Sequence, residues 1–342
     1  MVGVAGRFIL GGRTQSLKCF ACKELRLKVW RVAVLGMAVY VAALAWSAAA
    51  RAQSRAANDT GDTGTKLAAS AMNDPEAQAG FELLYGLKFD EARQQFIKWE
   101  QERPGEAAGP AMEAAADLFD EFYRKGVLTS EFFLDDKRLL GGIKGEPDAD
   151  LERQFAAAVE RGQKMARARL QDMPTDPNAL FALTLMEGMQ ADDLFLIQKR
   201  QLESLHHLRE ADGRARMLLQ VAPDADDAYV ALGAANYIIG CLPGYKRAVL
   251  WVGGVHGDKT LGMQQLARAA ASEHAHYLRP YARLMLALAS LREMNTDVSR
   301  QQLQDLVMEF PENPLFAKEL AKITPVMTGV GPYGAAQSAP AQ

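Results

Sequence analysis

The chain has 342 residues, 49% of them hydrophobic and 24% charged, a balance that belongs to folded proteins and argues against a disordered one. The formal net charge of −3 hides a division: residues 1–52 carry eight Lys or Arg against the single acid Glu24, or +7, leaving 31 basic and 41 acidic residues, or −10, for the remainder. A body this acidic repels phosphate backbones, which excludes nucleic acid as the expected partner.

The N-terminus reads as an address. Val32 to Ala50 is a 19-residue uncharged stretch preceded by the basic run Lys23–Arg31 and followed by Ala50-Arg51-Ala52, a small-x-small pattern. Basic region, apolar core and small-residue site in this order predict a secretory signal cleaved after Ala52. The stretch is also near the length that crosses a bilayer, so an uncleaved anchor in agreement with the positive-inside bias is the alternative. Either way residues 1–52 are signal or anchor. The body is expected in the periplasm, or anchored facing it, touching membrane only through residues 32–50 if these are retained. Cys19 and Cys22 form a C-x-x-C pair, two of the four ligands of a structural zinc, with no second pair to complete it. Only Cys241 would remain after cleavage, so packing rather than an internal disulfide must stabilise the body.

Residues 53–72 and 324–342, rich in small and polar types, are expected to be a disordered linker and tail. Between them, the abundance of Ala, Leu, Gln, Glu and Arg and the absence of period-2 alternation predict an all-α domain over 73–323. Helices are expected at about 75–86, 91–102, 107–126, 149–172, 177–190, 193–221, 225–240, 259–273, 276–293, 297–310 and 313–322. Asp74, Asp90, Asp148, Asp176 and Asp224 stand where a short carboxylate caps a helix start, and Pro75 and Pro177 suit the first helical position. The glycine-bearing stretch 126–148 is expected to be a loop.

One spacing recurs: small-x3-apolar-x2-apolar-x4-Pro. It is carried by Ala92, Phe96, Trp99 and Pro104, by Ala211, Ala215, Leu218 and Pro223, and by Ser299, Leu303, Leu306 and Pro311. A poorer copy is Gly162, Ala166, Arg169 and Pro174. Positions three and four apart share a helix face, a small residue admits a partner helix, and proline stops the helix. After Pro223, the residues Tyr229, Leu232 and Gly233 stand where a tetratricopeptide repeat places its aromatic, leucine and small residue. The body thus resembles the tetratricopeptide-repeat superfamily. The resemblance implies a right-handed α-solenoid of antiparallel helix pairs, whose concave face, built from the first helix of each pair, binds a protein or peptide. Register on those helices nominates Tyr85, Glu113, Glu187, Gln190, Asn236, Tyr237 and Arg283 as exposed groove residues.

The glycine-rich segment 240–259 fails as a phosphate loop, because Asp258 precedes Lys259 where a Walker loop needs glycine. Its order of Leu242, Pro243, Arg247, Leu250, Gly253, Gly257, Asp258, Gly262 and Leu266 is similar to tetratricopeptide proteins of the mitochondrial outer-membrane and inclusion-clearance type, and to periplasmic ones associated with TRAP transporters. Here Asp258 is expected to cap the following helix, with Leu250 and Trp251 packed inward. His206 and His207 point about 100° apart on a helix and cannot share a metal; His256, His274 and His276 form no metal motif either. The pairs Asp135/Asp136, Asp192/Asp193 and Asp226/Asp227 read as helix-start or loop residues, and Cys241 as a small apolar one. No catalytic, cofactor or metal site is expected. The primary expectation is a non-catalytic scaffold for a protein partner. The alternative is a small-ligand-binding or enzymatic helical protein with segment 240–259 as a lid, marked by a deep apolar pocket under Trp251 with convergent polar groups in place of a shallow open groove.

Overall fold

The computed structural model of the protein describes residues 72–244, Arg247, Leu250 and 256–324. The expected signal or anchor, nearly all of the expected linker and tail, and Trp251 lie outside the described residues. Among the described residues the regular structure is entirely helical. The helices are α1 (Pro75–Tyr85), α2 (Phe89–Glu102), α3 (Ala108–Arg124), α4 (Ser130–Leu134), α5 (Asp136–Gly141), α6 (Ala149–Asp172), α7 (Pro177–Asp192), α8 (Gln201–Val221), α9 (Ala228–Cys241), α10 (Lys259–Ala271), α11 (Arg279–Arg292), α12 (Thr296–Glu309) and α13 (Pro314–Ile323). No helix among the described residues is long and apolar enough to cross a membrane.

Short polar side chains and prolines set the helix ends. Asp74 accepts from the Glu76 and Ala77 N–H groups, Asp148 from Asp150 and Leu151, Asp176 from Ala179, and Asp258 from Leu261. Each fills part of the unpaired first turn. Helices α2, α6, α8 and α12 end two residues before Pro104, Pro174, Pro223 and Pro311. Two expected caps are corrected. Asp90 lies inside the first turn of α2, where it pairs with Arg93 at 2.8 Å. Asp224 is bypassed because α9 starts only at Ala228. The preceding carboxylates are committed elsewhere: Asp226 to Arg268 and Ser272, Asp227 to the N–H groups of Tyr277 and Leu278.

Two further differences from the sequence reading matter for the site. The stretch 126–148 contains α4 and α5, and buries Phe132, Phe133 and Leu139. The helix expected over 193–221 is broken: a π-turn, Asp193–Ile197, follows α7, and Lys199 turns left-handed at φ 60° before α8 begins. Gly142 accommodates the π-turn. Its φ of 74° suits glycine, and a Cβ there would meet the Leu196 carbonyl oxygen at 2.3 Å.

Successive helices pack as hairpins: α1 on α2, α3 on α6, α7 on α8, α9 on α10, and α11 on α12. The small positions of the recurring spacing sit at these contacts, with Ala92, Ala211 and Ser299 all buried. Where α9 crosses α10, Gly233 and Gly262 face each other so closely that a Cβ on either would meet backbone of the other helix within 3.0 Å. First helices also touch one another, α3 against α7, α7 against α9, and α9 against α11.

The row closes on itself. The Asp74 N–H donates to the Tyr277 hydroxyl at 2.7 Å, and the Tyr85 hydroxyl donates to the Tyr277 carbonyl at 2.9 Å. The Phe81 and Tyr277 rings stack at 4.9 Å, and the Asn313 amide donates to the Tyr85 carbonyl at 2.7 Å. At a second point Glu319, buried on α13, accepts from the Ser130 N–H of α4, which itself packs against α11. The first hairpin is therefore held by residues about two hundred positions later in the chain.

Asn313 both staples α1 and caps α13 through the Leu315 N–H. Asn313→Ala is expected to lower unfolding free energy by about 2–3 kcal/mol, the sum of a lost cap and an orphaned buried carbonyl. Lys88 pairs with Glu312 across the same seam, but both are solvent-exposed. Lys88→Ala should therefore stay within about 0.5 kcal/mol of wild type in the same urea titration.

Candidate functional site: an apolar cavity among the first helices

The first helices surround a cavity of about 160 Å³. Phe81 and Tyr85 of α1, Leu118, Phe119 and Phe122 of α3, Leu185 and Met189 of α7, Ala231, Ala234 and Ile238 of α9, and Tyr281, Met285 and Leu288 of α11 line it. Phe132 and Phe133 of α4 and Leu205 and Leu208 of α8 complete the wall. The lining spans eight helices and the π-turn.

Five hydroxyl or carboxyl side chains interrupt this wall: Tyr85, Thr184, Asp192, Ser204 and Tyr281. Tyr85 is satisfied at the seam, and the Thr184 hydroxyl donates to the Leu180 carbonyl at 2.8 Å. Asp192 and Tyr281 differ: neither the carboxyl nor the hydroxyl has a hydrogen-bonding or ion-pair partner among the described residues. Asp192 keeps some accessible surface although protein surrounds it, and the two facts agree because that surface borders the cavity. Removal from water, with a smaller effect of the neighbouring Asp193 charge, raises its pKa to about 7. Burial likewise drives the Tyr281 phenol upward, helped by the nearby Asp192 charge.

Asp193, one residue on, turns to the other side of α7. It borders an open groove along α6, accepts from Gln198 at 2.6 Å, and is raised to about 6 by burial. The pair Asp192/Asp193 thus ends a helix instead of starting one, and its two members face different surroundings.

The groove residues nominated from the sequence lie on the expected helices but mostly on their other faces. Only Tyr85 lines the cavity, and it is buried. Glu187 is buried between Arg167 at 3.0 Å and the His207 ring at 2.7 Å. Gln190 accepts from Gln163, Asn236 donates to Gln265 and to the Leu232 carbonyl, and Tyr237 donates to Glu293 or the Ala289 carbonyl. Arg283 pairs with Glu309 at 2.7 Å, and Glu113 with Arg161 at 2.8 Å. The expected exposure is corrected for Tyr85, Glu187, Asn236 and Tyr237. The reason is that the inner face is largely apolar, so polar groups on these helices turn toward the second helices and find partners there.

In the segment 240–259, Asp258 caps α10 as expected, and Cys241 is half-buried, its thiol pKa raised by burial. Asp192 and Tyr281 were missed as a pair because they lie 89 positions apart. A readable signal existed for one of them: Asp192 follows the uninterrupted apolar run Ala179–Leu183 by less than three helical turns. Comparison with protein-family models, curated proteins and solved structures finds no match for this chain.

Because its folded pKa is raised, Asp192 has a defined effect on stability. Below about pH 4 both states hold the proton. From there to about pH 7 the unfolded chain ionises while the folded state does not, so stability falls as pH rises. Asp192→Asn removes this slope. Its melting temperature should match wild type within about a degree at pH 4 and exceed it by a few degrees at pH 8, at roughly 2–4 °C per kcal/mol. An equal gap at the two pH values would contradict the buried position of the carboxyl.

Proposed function

We propose that this chain is an exported, non-catalytic helical protein that binds a small apolar ligand between its first helices, and that its hairpins form a right-handed solenoid of the tetratricopeptide-repeat type. The cavity carries the reading. A largely apolar concavity with a few polar groups is the usual form of a small-molecule site. Its volume, close to that of an apolar cavity able to take up benzene, suits one ring or a short alkyl chain. The sequence left two alternatives, an open groove for a protein partner and a deep apolar pocket under Trp251 for a ligand; Trp251 lies outside the described residues, and the apolar lining of the cavity supports the second.

Support for the remaining parts is separate. Export rests on the +7 leader ahead of a −10 body. The repeat assignment rests on the recurring spacing, on four helices that stop two residues before a proline, and on the hairpin order of contacts. A partner-binding reading keeps one supporting observation, the open polar groove along α6 lined by Gln163, Lys164, Arg167, Gln190 and Arg200. Gln190 is the one nominated residue that borders it.

An uncharged single-ring dye that brightens in apolar surroundings should bind the purified body saturably, at one molecule per chain. Ala234 faces the cavity, so Ala234→Phe fills part of the space from within. The variant is expected to fold, by circular dichroism, and to bind the dye about tenfold more weakly or worse. Undiminished binding by a folded Ala234→Phe protein would place the dye elsewhere and remove the cavity from consideration.

A further inference from the structure

Resting on the ligand-binding reading above, we propose that the cavity selects an amphiphile whose apolar body carries a protonated primary amine, with Asp192 as its counter-ion and Tyr281 as a second hydrogen-bond acceptor. The argument begins from a deficit. An isolated carboxyl in an apolar cavity is unfavourable unless something pairs with it, and buried charges in folded proteins are paired almost without exception. Three other buried carboxyls close to Asp192 in the fold each have a donor. Asp193 accepts from Gln198, Glu187 from Arg167, and Asp227 from two backbone N–H groups. Asp192 has no partner, and it is the lining residue whose titration falls closest to neutrality.

The second part of the argument is sign. Among the described residues no Lys, Arg or His lines the cavity, so the formal charge they can present to it is negative. A carboxylate or phosphate headgroup would meet that charge with no cation to receive it. A neutral alcohol could donate one hydrogen bond. An ammonium donates three and also neutralises the carboxylate, in surroundings where the attraction is little screened. Tyr281 lines the same cavity, is within range of the Asp192 charge and has an unused hydroxyl, so the cavity offers a second acceptor. The apolar wall, with Phe119 beside Tyr281 at a ring separation of 5.0 Å, receives the remainder of the ligand.

The experiment uses three probes of one size, hexylamine, hexanol and hexanoate, displacing the apolar dye at pH 8, where the Asp192 carboxyl is ionised. The expected order is amine, then alcohol, then acid, with at least about a tenfold span between amine and acid, or roughly 1.4 kcal/mol. In Asp192→Asn the dye should still bind, while the amine-to-acid ratio collapses to within about threefold. Tyr281→Phe keeps the ring packing and should weaken hexylamine more than hexanol. Hexanoate displacing as well as hexylamine from wild type would overturn the proposal, as would an amine preference unchanged in a folded Asp192→Asn protein. Both results leave the cavity itself as a ligand site. Failure of the dye and all three probes to bind would instead overturn the ligand-binding reading and this proposal with it.

Discussion

The structure depends on the contact between Tyr277 and the first helix. One residue there meets three needs together: its hydroxyl receives the Asp74 N–H, its carbonyl receives the Tyr85 hydroxyl, and its ring lies against Phe81. Asp74 in turn caps α1 and holds Arg103 at 3.0 Å. These groups are buried, so each hydrogen bond works where an unmade one costs about 1–3 kcal/mol. A row of helical hairpins ordinarily has two free ends and an open face. Here the ends are tied, and the inner faces of the first helices gather around one apolar cavity.

Closure changes what the inner face can be. An open groove is wetted and carries polar side chains at no great cost. An apolar cavity does not, and the inner helices accordingly present Phe, Leu, Ala and Met inward while sending Glu187, Gln190, Asn236 and Arg283 outward to partners on the second helices. Against that background a lone carboxyl on the inner face stands out as a feature that packing alone does not explain. Natural sequences break their own local rules mainly where function asks for it.

Much of the fold was legible because it is local. Caps at Asp74, Asp148, Asp176 and Asp258, prolines two residues past four helix ends, and small residues at helix contacts all act within a turn or two of chain. The errors have the same explanation in reverse. The start of α9 depends on Asp227 binding backbone at Tyr277 and Leu278, fifty residues away, and the break after α7 depends on Gly142 admitting the π-turn. The site was less legible than the fold. Register identified the right helices, but which face of them turns inward is decided by closure, and closure joins residues that no periodicity relates.

The seam also orders events in time. The residues that meet across it are separated by 203 positions in one pair and 228 in another. Bringing such distant segments together has an entropic cost that grows with the intervening chain, and contacts of this range form late. A chain that emerges N-terminus first presents α1 long before α13 exists, with the apolar edge of Phe81 and Tyr85 uncovered in the interval. Folding of this protein is thus a matter of waiting, and the interval before the ends meet is when its inner surface is open to aggregation or to a chaperone.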